Sequence, residues 1–151
     1  MEHCTRILIA DDDARIRGSL RSLVETLDNV EVVAEADDGA AAVKAVTLHQ
    51  PDIVLMDIRM PHVNGLEATA RIKREAPHTR VIIVSVHSAQ EFARHALHAG
   101  ARGYVSKDTA PAELEAAIRV ISRGGVYICS HAGVQAAGPR CPADRADPAR
   151  R

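Results

Sequence analysis

Short, almost unbroken apolar runs alternate with helix-period segments along most of this chain, and that alternation leaves few folds open. The runs fall at 6–10 (RILIA), 30–34 (VEVVA), 52–56 (DIVLM), 81–86 (VIIVSV) and 103–105 (GYV). Most are continuous rather than alternating, as in strands buried on both faces. Between them, Ile16, Leu20, Leu23, Val24 and Leu27 recur on one helical stripe. Residues 39–49 read as an Ala/Val-rich helix. Residues 65–75 read as a helix capped by Asn64, and 89–98 as a short helix stopped by Gly100. The last helix puts Leu114, Ala117, Ile118 and Ile121 on one stripe, with Pro111 in its first turn and Gly124-Gly125 beyond its end. Five strands and five helices in strict alternation predict an α/β domain: a parallel sheet, right-handed crossovers and helices on both faces.

Composition narrows the class. At 151 residues the chain is long enough for one domain with a real core. Only 2 % of residues are aromatic, so that core must be aliphatic. A net charge of −1 argues against broad electrostatic binding of nucleic acid. No apolar run approaches the ~20 residues of a membrane span, and MEHCTRILIADD lacks the build of a signal peptide. Cys4, Cys129 and Cys141 are odd in number and scattered, which favours reduced thiols and a cytoplasmic location over a disulfide framework. Beyond residue 128 the apolar period gives way to Ala, Pro, Gly and Arg. The expected organisation is a domain over 1–128 and a disordered polar tail over 129–151.

The polar residues are placed unusually. Asp11, Asp12 and Asp13 follow the first strand, Asp57 ends the third, Ser85 ends the fourth and Lys107 follows the fifth. All lie at carboxyl ends of parallel strands, the edge that carries the site in doubly wound sheets. With the flavodoxin-like strand order 2-1-3-4-5, the crevice opens between strands one and three and brings Asp11 and Asp12 to Asp57. Taken alone, Asp57 is a helix cap, a cation ligand or a phosphoryl-accepting nucleophile. In one crevice the three carboxylates repel, so one protonates or a cation sits among them. All-oxygen donors favour a hard cation, and Mg²⁺ suits few carboxylates completed by water and phosphate oxygens. Lys107 and Ser85 then offer a positive charge and a hydroxyl to phosphoryl oxygens.

ILIADDD, PDIVLMDIRMP, VIIVSVHS and GARGYVSKD, in that order, closely resemble the four motifs of the receiver domain of two-component response regulators. ELEAAIRVISRGGVYI further resembles the NarL/FixJ subgroup, and the likeness spans about residues 5–128. The resemblance implies Asp57 as phosphoacceptor from a sensor histidine kinase. It implies Asp12 and Asp57 as direct Mg²⁺ ligands, Asp11 acting through water, and the Arg59 main-chain carbonyl as a further ligand. Ser85 and Tyr104 become the switch pair and Lys107 the phosphoryl-contacting cation, while His87 modulates water access. It also implies slow Mg²⁺-dependent autodephosphorylation rather than enzymatic turnover, possible pairing of two copies through the first and fifth helices on phosphorylation, and a role in transcription regulation. Three departures stand out. Asp13 replaces a frequent His and is expected to cap the first helix. Val86 crowds the space for the Tyr104 ring. The helix-turn-helix output usual in the subgroup is not read within these 151 residues, which leaves a stand-alone receiver or a truncated regulator as alternatives, and direct binding to nucleic acid is not expected of this chain.

Two other classes compete. ADDDA contains Asp-x-Asp, like the nucleophile motif of haloacid-dehalogenase-type phosphohydrolases, with Asp11 as nucleophile and Asp13 as acid/base. That reading leaves Asp57 unexplained. A non-phosphorylated docking module on the same fold leaves the costly acid cluster unexplained. His95 and His98 are expected on a solvated helix face, and Cys129, His131 and Cys141 lack zinc-site spacing.

Overall fold

A computed structural model describes residues 4–85, 90–107 and 111–129. Val86, His87 and the tail beyond Cys129 therefore lie outside the described residues. The elements alternate as expected: β1 (Thr5–Ala10), α1 (Ala14–Glu25), β2 (Val30–Ala36), α2 (Gly39–His49), β3 (Ile53–Met56), α3 (Gly65–Glu75), β4 (Arg80–Ser85), α4 (Gln90–Ala99), β5 (Gly103–Ser106), α5 (Pro111–Ser122) and β6 (Tyr127–Cys129). The sheet is parallel throughout, in the order β2-β1-β3-β4-β5-β6. The switch in strand order lies between β1 and β3, where the sequence places the crevice.

The unbroken apolar strands follow from a sheet covered on both sides. Leu8, Val54, Met56, Val81 and Ile83 face one core with Ala42 and Val46 of α2, Ala68 and Ile72 of α3, and Ala93 and Ala96 of α4. Ile7, Ile9, Ile53, Leu55, Ile82 and Val84 face the other, with Val24 of α1 and Leu114, Ile118 and Ile121 of α5. Successive residues of one strand thus serve opposite layers. Caps set the helix starts. The Asp13 carboxylate accepts from the amides of Arg15 and Ile16, and Asn64 accepts from Glu67. Gly100 ends the α4 region at φ +113°, a conformation that costs an L side chain energy.

The sixth strand is the one element the five-strand reading lacks. It pairs Tyr127, Ile128 and Cys129 with Gly103, Tyr104 and Val105. Three residues after a Gly-Gly turn are too few for a periodic signal. The anchor is tertiary: Tyr127 is buried and its hydroxyl donates a short hydrogen bond to Glu113 on α5. His95 and His98 are exposed, as expected of a solvated face. Among the described residues, no helix is long and apolar enough to cross a membrane.

Candidate functional site

The β1–α1 turn delivers the first two acids. Asp11 is buried and its backbone is fixed on several sides. Its amide donates to the Ala36 carbonyl (3.0 Å), its Oδ1 accepts from the Asp13 amide (2.9 Å), and its carbonyl accepts from the Arg17 guanidinium (2.7 Å). Asp12, the next residue, is exposed. Asp57 leaves the end of β3 with its amide bonded to the Ala10 carbonyl (2.9 Å), which locks it beside Asp11. Carboxylate oxygens of Asp11, Asp12 and Asp57 all lie within 4.8 Å of one another.

Lys107 closes this group. Its ammonium lies 2.7 Å from Asp11 Oδ2 and 3.2 Å from Asp57 Oδ1, with only 12 % of the side chain exposed. The close approach to Asp11 Oδ2 is an ion pair without hydrogen-bond alignment, so that buried oxygen lacks a hydrogen-bond donor. The Asp13 carboxylate is engaged in capping α1, as the sequence leads one to expect.

Burial raises the Asp57 pKa. Lys107 opposes the shift, and the charges of Asp11 and Asp12 add to it. For Lys107, burial disfavours the ammonium, but its close contacts with the Asp11 and Asp57 carboxylates and their charges outweigh that and raise its pKa. Both shifts favour the protonated group in the fold, so both contributions fall as pH rises, but in different pH windows. A carboxyl whose folded pKa is raised binds its proton more tightly in the native state. Stability is therefore lost as pH rises from the unfolded value, about 3.9, through the folded one. The Lys107 contribution is fully present below the unfolded lysine pKa and is lost only as pH climbs through its raised folded value. Charged Asp57 is thus a net cost to the metal-free fold near neutral pH. Asp57→Asn is expected to melt at a higher temperature than wild type in EDTA, with the gap closing as pH falls toward about 4. Thermal melts across that range check this; a variant that melts lower at every pH would contradict it.

The donor set fits a divalent metal. Three carboxylates converge, one of their buried oxygens lacks a hydrogen bond, and the donors are all oxygen, which suits Mg²⁺ rather than softer ions. The Arg59 carbonyl accepts no hydrogen bond from the described residues, while its side chain is exposed.

Ser85 ends β4, and Tyr104 lies on the neighbouring β5, opposite Ile83. Tyr104 is fully buried and its hydroxyl is hydrogen-bonded to that of Ser85. Burial raises the phenol pKa and Ser85 partly offsets this. The ring is therefore already inside in this structure, within the core shared by α2, α3 and α4. The Lys107 amide donates to the Ser85 carbonyl (2.7 Å), tying this pair to the acidic group.

Two glycines that the sequence reading passed over shape the loop after Asp57. A Cβ on Gly65 would stand 2.0 Å from the Asp57 carbonyl oxygen, and one on Gly39 would stand 2.1 Å from that of Val63. The Gly65 amide donates to Ile58 and the Gly39 amide to Val63, so the loop is laced to the starts of α2 and α3. A glycine at a helix start, where another residue would be a better helix former, was the available signal.

These features agree with comparison to known proteins. Residues 7–119 match the family described as the response regulator receiver domain. The chain is 37 % identical over 127 residues to the transcriptional regulatory protein DegU of Brevibacillus brevis, covering 84 % of this chain and 54 % of that protein. It is 38 % identical over 131 residues to the response regulator UvrY of Escherichia coli (strain K12), covering 87 % and 60 %. The chain thus spans a little over half the length of these relatives. A LuxR-family two-component response regulator from Aurantimonas sp. SI85-9A1 superposes with a TM-score of 0.80 at 38 % identity, over 86 % of this chain and 92 % of that one. The signal receiver domain of the putative response regulator NarL from Mycobacterium tuberculosis does so at 0.78 and 32 %, over 82 % and 99 %. Fold, acidic crevice and sequence agree: the chain belongs to the response regulator receiver domain family.

Proposed function

We infer that this chain is a phosphorylation-activated receiver in which Asp57 accepts a phosphoryl group from a sensor histidine kinase. The observation that carries this reading is the position of Asp57: buried, raised in pKa, and set beside Asp11 with the Lys107 ammonium in contact with both carboxylates. An Asp57 carboxylate oxygen attacks phosphorus, the bond from phosphorus to the kinase histidine nitrogen breaks, and the nitrogen keeps the electron pair. Lys107 is placed to meet the added negative charge, about −1.5 to −2 for phosphate esters. Asp11, Asp12, Asp57 and the Arg59 carbonyl hold Mg²⁺, which when bound neutralises carboxylate and phosphoryl charge. Nearly complete conversion between two states needs about 5.5 kcal/mol, and one charge-assisted hydrogen bond supplies roughly 1.5–3. Lys107, Ser85 and main-chain donors therefore act together.

Ser85 and Tyr104 are the switch pair in this reading, with the described state holding the ring inside. His87 modulates water access and hence the slow autodephosphorylation. The protein is cytoplasmic, and its output runs through a protein surface, including pairing of two copies on phosphorylation and, through partners, transcription regulation. Incubation with acetyl phosphate and Mg²⁺ should add one phosphoryl group by intact mass, and EDTA should prevent it. A protein that stays unmodified with Mg²⁺ present would sink the assignment.

A further inference from the structure

The Asp11 carbonyl is held by a side chain from outside the acidic group. Arg17 lies one turn into α1 with 20 % of its side chain exposed. Its Nη1 donates to the Asp11 carbonyl (2.7 Å), and its Nε donates to the Glu35 carboxylate on β2 (2.9 Å). Arg21 reaches the other oxygen of Glu35 (2.5 Å) and also Glu25 (2.9 Å). Glu35 is thereby held by two guanidinium groups, and it fixes the plane of the Arg17 fork. A planar guanidinium with two donors engaged defines the position of its second acceptor closely. That acceptor is the main chain between two acids of the pocket.

We propose that Arg17 and Glu35 form a positioning pair that fixes the Asp11 main chain and so sets the cation affinity of the Asp11–Asp12–Asp57 pocket. The proposal rests on the receiver reading above. Neither residue touches the metal position. Arg17 acts through the Asp11 carbonyl, and Glu35 acts through Arg17.

The sign of the effect separates positioning from charge. Arg17 is a cation near three carboxylates, so Coulomb's law alone predicts that removing it tightens Mg²⁺ binding. Positioning predicts the reverse. Isothermal titration of the full chain with Mg²⁺ should show roughly tenfold weaker binding for Arg17→Met, one lost charge-assisted hydrogen bond. Arg17→Lys should recover part of this, since an ammonium reaches the carbonyl without the fork. Glu35→Gln should weaken binding roughly threefold in wild type and change nothing further in Arg17→Met, because both act through one guanidinium. Melting in EDTA supplies the second readout. A purely structural role would lower Tm and leave Mg²⁺ affinity alone, and that result overturns the proposal, as does tighter binding by Arg17→Met. If Arg17→Met does not fold, Arg17→Lys and Glu35→Gln still decide the question. A wild-type chain that binds no Mg²⁺ would instead overturn the receiver reading itself.

Discussion

Gly65→Ala lowers the stability of the fold by about 3 kcal/mol, the upper end for overpacking a tight site, or roughly 10 °C in Tm for a chain of this size. A methyl at this position meets the Asp57 carbonyl oxygen at 2.0 Å and the Ile58 Cα at 2.9 Å. Both are backbone atoms, so no side chain can swing aside. Either α3 backs away from β3 or the Asp57–Ile58 peptide turns. The second response also moves Asp57, so Mg²⁺ affinity should fall with stability. Gly18→Ala is the internal control. Gly18 is exposed in the middle of α1 with nothing within 4 Å of the added Cβ. There the same change should stabilise, by about 0.5–1 kcal/mol, because alanine loses less entropy in a helix. Denaturant melts of the two variants should bracket wild type. Equal small effects from both would show that the close approach at Gly65 is easily relieved.

Lys107→Met is expected to cost about 3 kcal/mol without metal, the lower end for removing one member of a buried ion pair. The ammonium lies between Asp11 and Asp57, and its loss leaves those carboxylates facing each other and Asp12 with no cation. Each pair at about 4 Å repels by roughly 1–4 kcal/mol, depending on local screening. Two conditions should rescue the variant. Lower pH protonates a carboxyl, beginning with Asp57, whose pKa is already raised by burial. Mg²⁺ replaces the missing charge, so its affinity should rise roughly tenfold, about 1.4 kcal/mol. Phosphorylation should nonetheless fall, because no ammonium remains to meet the phosphoryl oxygens. Melting with and without Mg²⁺, over a series of pH values, checks the cost and both rescues, and intact mass after acetyl phosphate treatment checks the fall in phosphorylation. A variant as stable as wild type in EDTA would mean that the carboxylates are well screened by water. Lys107→Met and Arg17→Met both delete a cation beside the same acids, yet they are expected to shift Mg²⁺ affinity in opposite directions.

Much of this was legible in the sequence, for identifiable reasons. A strand buried on both faces must be apolar at every position, so β1, β3 and β4 announced themselves, and their order fixed the crevice. Asp11, Asp12, Asp57 and Lys107 stood out as charges at the ends of such strands, and the structure brings all four together. Asp13 was readable as a cap because capping is local. What stayed hidden depends on contacts between distant segments. β6 is three residues long and is held by Tyr127 against Glu113. Gly65 matters through a carbonyl eight positions earlier in the chain, which no local pattern encodes. Arg17 looks like any polar helix residue until β2 brings Glu35 beside it. The inward position of Tyr104 is likewise tertiary: its ring is buried in the core that α2, α3 and α4 share with the sheet.

The central claim is that Asp57, among the acids of this crevice, carries the phosphoryl group. Its most direct test is to phosphorylate the protein with acetyl phosphate and Mg²⁺, reduce the acyl phosphate with borohydride, and map the product by peptide mass spectrometry. The account predicts conversion to homoserine at position 57 alone, and none in Asp57→Ala. Reduction at Asp11, or equal labelling of Asp57→Ala, would contradict it and return the phosphohydrolase reading to the front.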